Sequence, residues 1–317
     1  MKSARLAFLL LGVFAAQARH LVAAADGLQV AAHDDRVVIT HGEQPVATWF
    51  QGGDTGPVGP YFAHVHAPGG ISVTRHFPPR AGIDAADHDT MHPGIRLSFG
   101  DLDGVDFWRN KAGVRRVGSP ERPAVKDGVA SFAATNVYYQ GPRTVCREEC
   151  RYTVRVLGEG YLLTMHSRFS PAGEMPLAFG DQEEMGLGVR VATPLTVKAG
   201  GTITNSLGGK NEKEVWGKQA DWCDYSGTAS GRRVGMLLIP HRDNFRRSWF
   251  HARDYGFVAA NPFGQQAFTR GDKSRVEVKP GEHFDLRFGV WVYSTPAATP
   301  PDLAAIAAEY QRLAPGR

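Results

Sequence analysis

The chain has 317 residues, 42% hydrophobic and 21% charged, a balance that excludes a disordered or fibrous protein and allows a sizeable core. Its 36 Lys and Arg against 32 Asp and Glu give a net charge of +4, but no basic run with interleaved aromatics accompanies it, so nucleic acid is not an expected partner. Only three cysteines occur, Cys146, Cys150 and Cys223, with no CxxC pair, which argues against a zinc site built on thiolates.

Lys2 and Arg5 give a basic start, and Leu6–Ala16 is an apolar run of 11 residues, too short to cross a bilayer as a helix. Small residues at Ala16–Ala18 and Ala23–Ala25 follow and suit signal-peptidase cleavage, after Ala18 or Ala25. Residues 1–25 are therefore expected to be a signal peptide, the alternative being an uncleaved anchor. The mature chain is then periplasmic or secreted, without stable membrane insertion. Cleavage after Ala25 would remove Lys2, Arg5 and Arg19 and no acid, leaving 33 basic against 32 acidic residues, so most of the apparent basicity belongs to the leader.

The rest reads as β structure. Leu28–Gly42 is two alternating runs around Asp34–Asp35, a hairpin signal. Gly52–Gly59 is glycine-rich but leads into a strand and reads as a loop, not a phosphate cradle. Ile95–Gly100 is a short strand, and Gly104–Trp108 is expected to be another. Gly128–Gln140, Arg151–Ser170 with a turn at Leu157–Gly160, and Gly231–Pro240 continue the pattern. Val276–Ser294 is expected to be a hairpin about Pro280–Gly281. The spacing of Leu303, Ile306, Tyr310 and Leu313 predicts one helix near the C-terminus, with Pro300 and Pro301 in its first turn. Cys146 and Cys150 fall in one expected strand, where residues four apart are separated by roughly 13 Å, so they are not expected to bridge each other. No linker interrupts the series. The expected fold is all-β: a single large antiparallel β-sandwich domain over residues 26–317 with one C-terminal helix.

Four segments concentrate groups that titrate, bind metal or hydrogen-bond a sugar. The Asp/His-rich loop Ala81–Gly94 carries Asp84, Asp87, His88, Asp89 and His92. Its aspartates also suit turns on their own account. His88 and His92 could be acid and base, or could start a metal site with Asp87 or Asp101. Gly180–Arg190 places Asp181, Glu183 and Glu184 before a glycine-flanked strand. Glu214–Asp224 carries Trp216, Lys218, Trp222 and Asp224, and Trp249–Asn261 carries His251, Arg253, Asp254 and Tyr255. Each tryptophan alone reads as core, and Arg242, Arg246 and Arg247 as a solvated face, but four such segments together suggest one polar pocket built from loops at a sheet face.

These same stretches, with Pro60–Pro79 and Asp87–Val114, resemble in order from about Pro60 to Gly264 the family labelled "methane oxygenase PmoA". The membrane subunit of methane monooxygenase has several spanning helices, and this chain has none after its leader. The resemblance implies an exported bacterial protein with a supersandwich similar to galactose mutarotases and related carbohydrate-active enzymes. Arg96 stands where many relatives have an aromatic, which removes a stacking contact. On this reading the ligand is a carbohydrate or glycoside, with no cofactor. His92 and His251 act as acid or electrophile and Glu184 as base. Arg75, His88, Asp101, Trp108, Lys218, Arg253, Asp254 and Asn261 hold substrate. The competing readings are a glycan-binding protein with Trp108, Trp216 and Trp249 as platforms, and a metal-dependent oxygenase.

Overall fold

The computed structural model describes residues 27–52, 59–118 and 122–314. The expected signal peptide and most of the Gly52–Gly59 loop lie outside them.

Two nine-stranded antiparallel sheets account for most of the chain. The first runs Leu28–Ala32, Arg36–His41, Gln44–Phe50, Tyr61–Ala63, Ile95–Phe99, Met185–Arg190, Phe257–Asn261, Trp249–Arg253 and Lys218–Gln219 from edge to edge. The second runs Thr202–Asn205, Cys223–Ala229, Arg232–Pro240, Phe284–Pro296, Gly160–Pro171, Arg143–Leu157, Val129–Gln140 and Gly113–Val117, with Ala124–Lys126 beside Val129–Gln140. Alternation in Val129–Gln140 buries Phe132, Ala134, Asn136 and Tyr138 on one face, as a strand with period two must. Those inner faces meet in one core, where Trp49 lies against Phe132 at 5.4 Å, Phe62 against Tyr152 at 5.4 Å and Phe99 against Phe169 at 5.4 Å. The expected β-sandwich is thus the observed one.

The C-terminal helix, Leu303–Leu313, covers part of the other face of the second sheet, packing on Leu162, Leu237, Ile239, Trp291 and Tyr293. Asp302 caps it by accepting a hydrogen bond from the Ala305 amide at 3.0 Å, so Pro300 and Pro301 precede the cap instead of forming the first turn. Among the described residues, no helix is long and apolar enough to cross a membrane.

Two further expectations are corrected. Gly104–Trp108 is not a strand: Asp101 Oδ1 accepts from the Gly104 amide and Asp106 Oδ1 from the Arg109 amide, so carboxylates close turns that a strand would have to open. Val276–Val278 does not pair with Phe284–Pro296 as a hairpin: one edge of that long strand is taken by Gly160–Pro171, and the other by Arg232–Pro240 as far as Phe288 and then by His241 and Asn244 at Arg287. Val276–Val278 pairs with Leu177–Phe179 in a small separate sheet. Two helical turns at Asn211–Val215 and Gln265–Thr269 were too short to show a helical period. Cys146 and Cys150 both lie in Arg143–Leu157, and their thiols, like that of Cys223, are free and buried.

Candidate functional site

The face of the first sheet turned away from the core supplies a floor. Partners across an antiparallel ladder share a face. One row across four strands therefore reads Arg96, Gly188, Ala259 and His251, and the next holds Arg190, Phe257 and Arg253. The centre of the first row is small. A Cβ on Gly188 would come 2.6 Å from Phe257 Cζ and 3.4 Å from Trp108 Cη2, so only glycine lets these rings settle onto the sheet. Trp108, Phe257 and Ala259 form a buried cluster there with Tyr255 against it.

The Asp/His-rich loop lies on this floor. It is pinned by Arg75, which is 1% exposed and donates from Nη1 to the carbonyls of Ala85 (2.9 Å) and Asp87 (2.6 Å) and from Nη2 to those of His88 (3.2 Å) and His92 (3.3 Å). Burial and the neighbouring Arg190 bring its pKa down to about 10, which leaves it charged at neutral pH. Arg190 Nη2 donates to Asp87 Oδ1 at 2.9 Å, and its Nη1 lies at ion-pair distance, also 2.9 Å, from Oδ2. Burial pushes the Asp87 carboxyl up, but hydrogen bonds from Arg190 and His88 and the charge of Arg75 outweigh it and hold the pKa at about 2. His88, in a left-handed conformation at φ 50°, pairs its Nδ1 with Asp87 Oδ2 at 3.0 Å. Its ring stacks between His92 (4.8 Å) and Tyr255 (5.4 Å).

His92 lies deeper. It is 5% exposed, stacked on Phe257 at 4.0 Å and edge-on to Trp108 at 5.9 Å, and neither ring nitrogen has a hydrogen-bond partner among the described residues. Burial first, then repulsion from the neighbouring His88 and Arg190, holds it neutral with a pKa well below the usual histidine value. A narrow pocket lined by His92, Arg96, Ser98, Trp108 and Phe257 adjoins it, with room for about one water.

Across Phe257 lies His251, 5.7 Å away ring to ring. Its Nδ1 is 3.2 Å from Glu183 Oε1, an ion-pair distance without hydrogen-bond alignment. Burial and Arg253 lower its pKa to about 4 against the opposing pull of Glu183. Glu183 Oε1 accepts from Arg253 Nη2 (2.5 Å) and Trp216 Nε1 (3.1 Å), and Arg253 Nη1 donates to Glu212 Oε1 (3.0 Å).

The structure thus brings His88, His92, Trp108, His251 and Arg253 together, with Arg75 bracing the loop. It does not bring in the others as ligand-facing groups. The Glu184 carboxylate pairs with Arg109, and its neighbour Glu183 occupies the place beside His251. Asp101 closes the Gly104 turn. Asn261 donates to the carbonyls of Gln182 and Glu183 and accepts from the Phe263 and Gly264 amides, so it shapes the loop that carries Glu183. Asp254 accepts from the Glu212 amide at the short helix. Lys218 is exposed on the edge strand, in register with Phe250, whereas His251 points to the opposite face. The stacked rings of His88 and His92 present faces to each other, where two metal-binding imidazoles must aim edges at one point. Among the described residues no group of three His, Cys, Asp or Glu is arranged to hold a metal ion. Reading from sequence missed Arg190, whose signal is a charge inside the otherwise apolar, fully buried strand Met185–Arg190.

Residues 36–308 match the model of a family of unknown function, DUF6807. No curated protein matches the sequence. Among solved structures, similarity extends to an alpha-galactosidase from Lactobacillus brevis (7% identity, TM-score 0.42, covering 84% of this chain and 39% of that one). It extends also to the galactosidase domain of alpha-galactosidase-sucrose kinase AgaSK (8%, 0.39, 87% and 42%) and to a protein from Synechocystis sp. PCC 6803 (10%, 0.35, 86% and 94%). The chain spans about two fifths of the length of the first of these.

Proposed function

The chain belongs to this family of unknown function, which lends it no activity, and we propose from the site itself that it binds a carbohydrate on the outer face of the first sheet and performs acid–base chemistry on it. The observation that carries this reading is a pair of ionisable groups, His88 and Glu183, each about a third exposed and each fixed by partners. They are joined through the ring contacts of His92, Phe257 and His251. With Nδ1 of His88 donating to Asp87, the unprotonated form of the ring has Nε2 left as a proton acceptor, the arrangement a general base requires. Glu183, fixed by hydrogen bonds from Arg253 and Trp216, is the second polar group, and neutral His92 can hydrogen-bond a hydroxyl. Tyr255 and Trp216 lie beside these groups, their rings covered by the guanidinium groups of Arg190 at 4.7 Å and Arg253 at 5.8 Å, so the aromatic residues brace the site. The leader sequence supports an exported location for this chemistry.

The test is a panel of mono- and oligosaccharides scored by NMR for both binding and products. His88→Ala is expected to lower turnover by about 10²–10⁴-fold with the melting temperature unchanged. Near-wild-type turnover in that variant would remove the dyad from the chemistry. Binding by the wild-type chain with no product from any sugar would make this a glycan-binding protein.

A further inference from the structure

The narrow pocket between His92 and Trp108 is closed mainly by rings. His92 stacks on Phe257 at 4.0 Å and on His88 at 4.8 Å, in planes 11° and 17° from parallel, so its faces are covered and its edge, with both nitrogens, is what remains. Trp108 stands across that stack, at 79° to His92 and 89° to Phe257. Gly188 leaves the floor between them bare. Of the lining residues only Met91 is not buried, so the way in passes Met91.

The walls are tied to each other. Arg96 donates from Nη1 to the Met91 carbonyl (3.4 Å) and to Asn110 Oδ1 (3.2 Å), and from Nη2 to the Phe107 carbonyl (3.0 Å). Asn110 Nδ2 donates in turn to the Thr90 carbonyl (2.8 Å). The segment that carries His92 is thereby held against the segment that carries Trp108, at a separation that leaves room for about one water.

The polar groups that line this space are vacant. Both nitrogens of His92, 5% exposed, and Nε1 of Trp108, 3% exposed, are buried without a hydrogen-bond partner among the described residues. A buried donor left vacant destabilises a fold. The indole N–H is a donor, and the neutral imidazole offers one donor and one acceptor. A single oxygen that both accepts and donates satisfies such a set, as a water or a hydroxyl does, and nothing with a larger substituent on that oxygen has the room.

We propose that this pocket is a subsite for one unsubstituted sugar hydroxyl, which accepts from Trp108 Nε1 and donates to His92, and that it sets the specificity of the face. It takes a free hydroxyl at one ring position and rejects a sugar that has hydrogen or an ether there. Trp108 then acts as a hydrogen-bond donor, not as a stacking platform. The proposal rests on the carbohydrate reading of this face.

The experiment is calorimetric titration of the full chain with the methyl glycosides of glucose, galactose, mannose and xylose, then with the complete monodeoxy and mono-O-methyl series of whichever binds. One monodeoxy sugar is expected to bind about ten- to a hundredfold more weakly than its parent, because it leaves a buried donor vacant. The O-methyl ether at the same position is expected not to bind. Trp108→Phe keeps an aromatic ring and removes the N–H, and is expected to narrow the gap between parent and that deoxy sugar about tenfold, which loss of a merely structural tryptophan would not do. The wild-type series decides the matter even where that variant does not fold. Equal affinity across the monodeoxy series of a sugar that binds would overturn the proposal and leave the carbohydrate reading standing. So would binding of the O-methyl ether at the discriminating position, or undiminished discrimination in folded Trp108→Phe. Binding of none of these glycosides would overturn both.

Discussion

Replacing His92 by phenylalanine tests whether its imidazole is kept for packing or for a ligand. The substitution keeps a ring against Phe257 and Trp108 and deletes two buried nitrogens that bond to nothing among the described residues. A buried polar group without a partner costs about 1–3 kcal/mol, which phenylalanine recovers. Its larger ring opposes this, since overpacking costs about 1–3 kcal/mol, but the adjoining pocket has room for about one water and softens that cost. The balance lies between neutral and about 2 kcal/mol stabilising. At about 2–4 °C per kcal/mol, the melting temperature is expected to stay level or rise by up to about 8 °C at pH 7.5. Carbohydrate binding on the same samples is expected to fall about tenfold, as for one lost hydrogen bond to a buried neutral group. Calorimetric scans and titrations supply both numbers. A drop of more than about 4 °C would mean that the nitrogens are satisfied in the fold, which refutes the reasoning. A stabilised protein with unchanged affinity would remove His92 from the site.

Acid should destabilise the protein in a window set by the buried imidazoles. His251 titrates at about 4 in the fold and near 6.5 when unfolded, and His92 is also held neutral. Below pH 6.5 the unfolded chain takes up protons that the fold refuses, so stability is full above that pH and is lost as it falls towards 4. His251 alone accounts for about 3 kcal/mol at pH 4, from roughly 1.36 kcal/mol per unit. Urea midpoints between pH 7.5 and 4 should show this decline and a shallower one in His251→Gln; equal slopes would contradict the assignment. Gly188→Ala should displace Phe257, 2.6 Å from the added carbon, at about 1–3 kcal/mol, and abolish carbohydrate binding while the chain still folds. Retained affinity in that variant would mean the ligand does not lie over the Gly188 row.

The strands were legible because one buried face imposes a period of two, as in Val129–Gln140 and Arg143–Leu157, and because glycine marked turns such as the one at Gly158. Strand pairing was less so. The hairpin expected around Pro280–Gly281 has its turn, with the Glu282 amide donating to the Lys279 carbonyl, but the long strand after it is satisfied on both edges by partners distant in sequence. Local turn chemistry decides the turn. Competition for edges decides the partner, and that competition is invisible in a single segment.

The same limit explains the site. The four polar segments could be found because charged and aromatic residues gathered in glycine-bounded loops. The choice within a segment could not be read, because residues 181–184 have no regular structure and so no period to say which of Glu183 and Glu184 faces the sheet. Asn261 settles it from 78 residues away by donating to the carbonyls of Gln182 and Glu183. That anchor leaves the Glu183 carboxylate to Arg253 and Trp216 and the Glu184 carboxylate to Arg109. Arg75 works in the same way on the other side, setting His88 and His92 through their carbonyls. Groups expected to touch substrate thus divide into those that face the floor and those that aim them. A side chain whose outer hydrogen-bonding atoms are spent on backbone, as for the amide of Asn261 and the two terminal nitrogens of Arg75, aims. One with a vacant nitrogen or an exposed carboxylate, as for His92, His88 and Glu183, is left to meet a ligand.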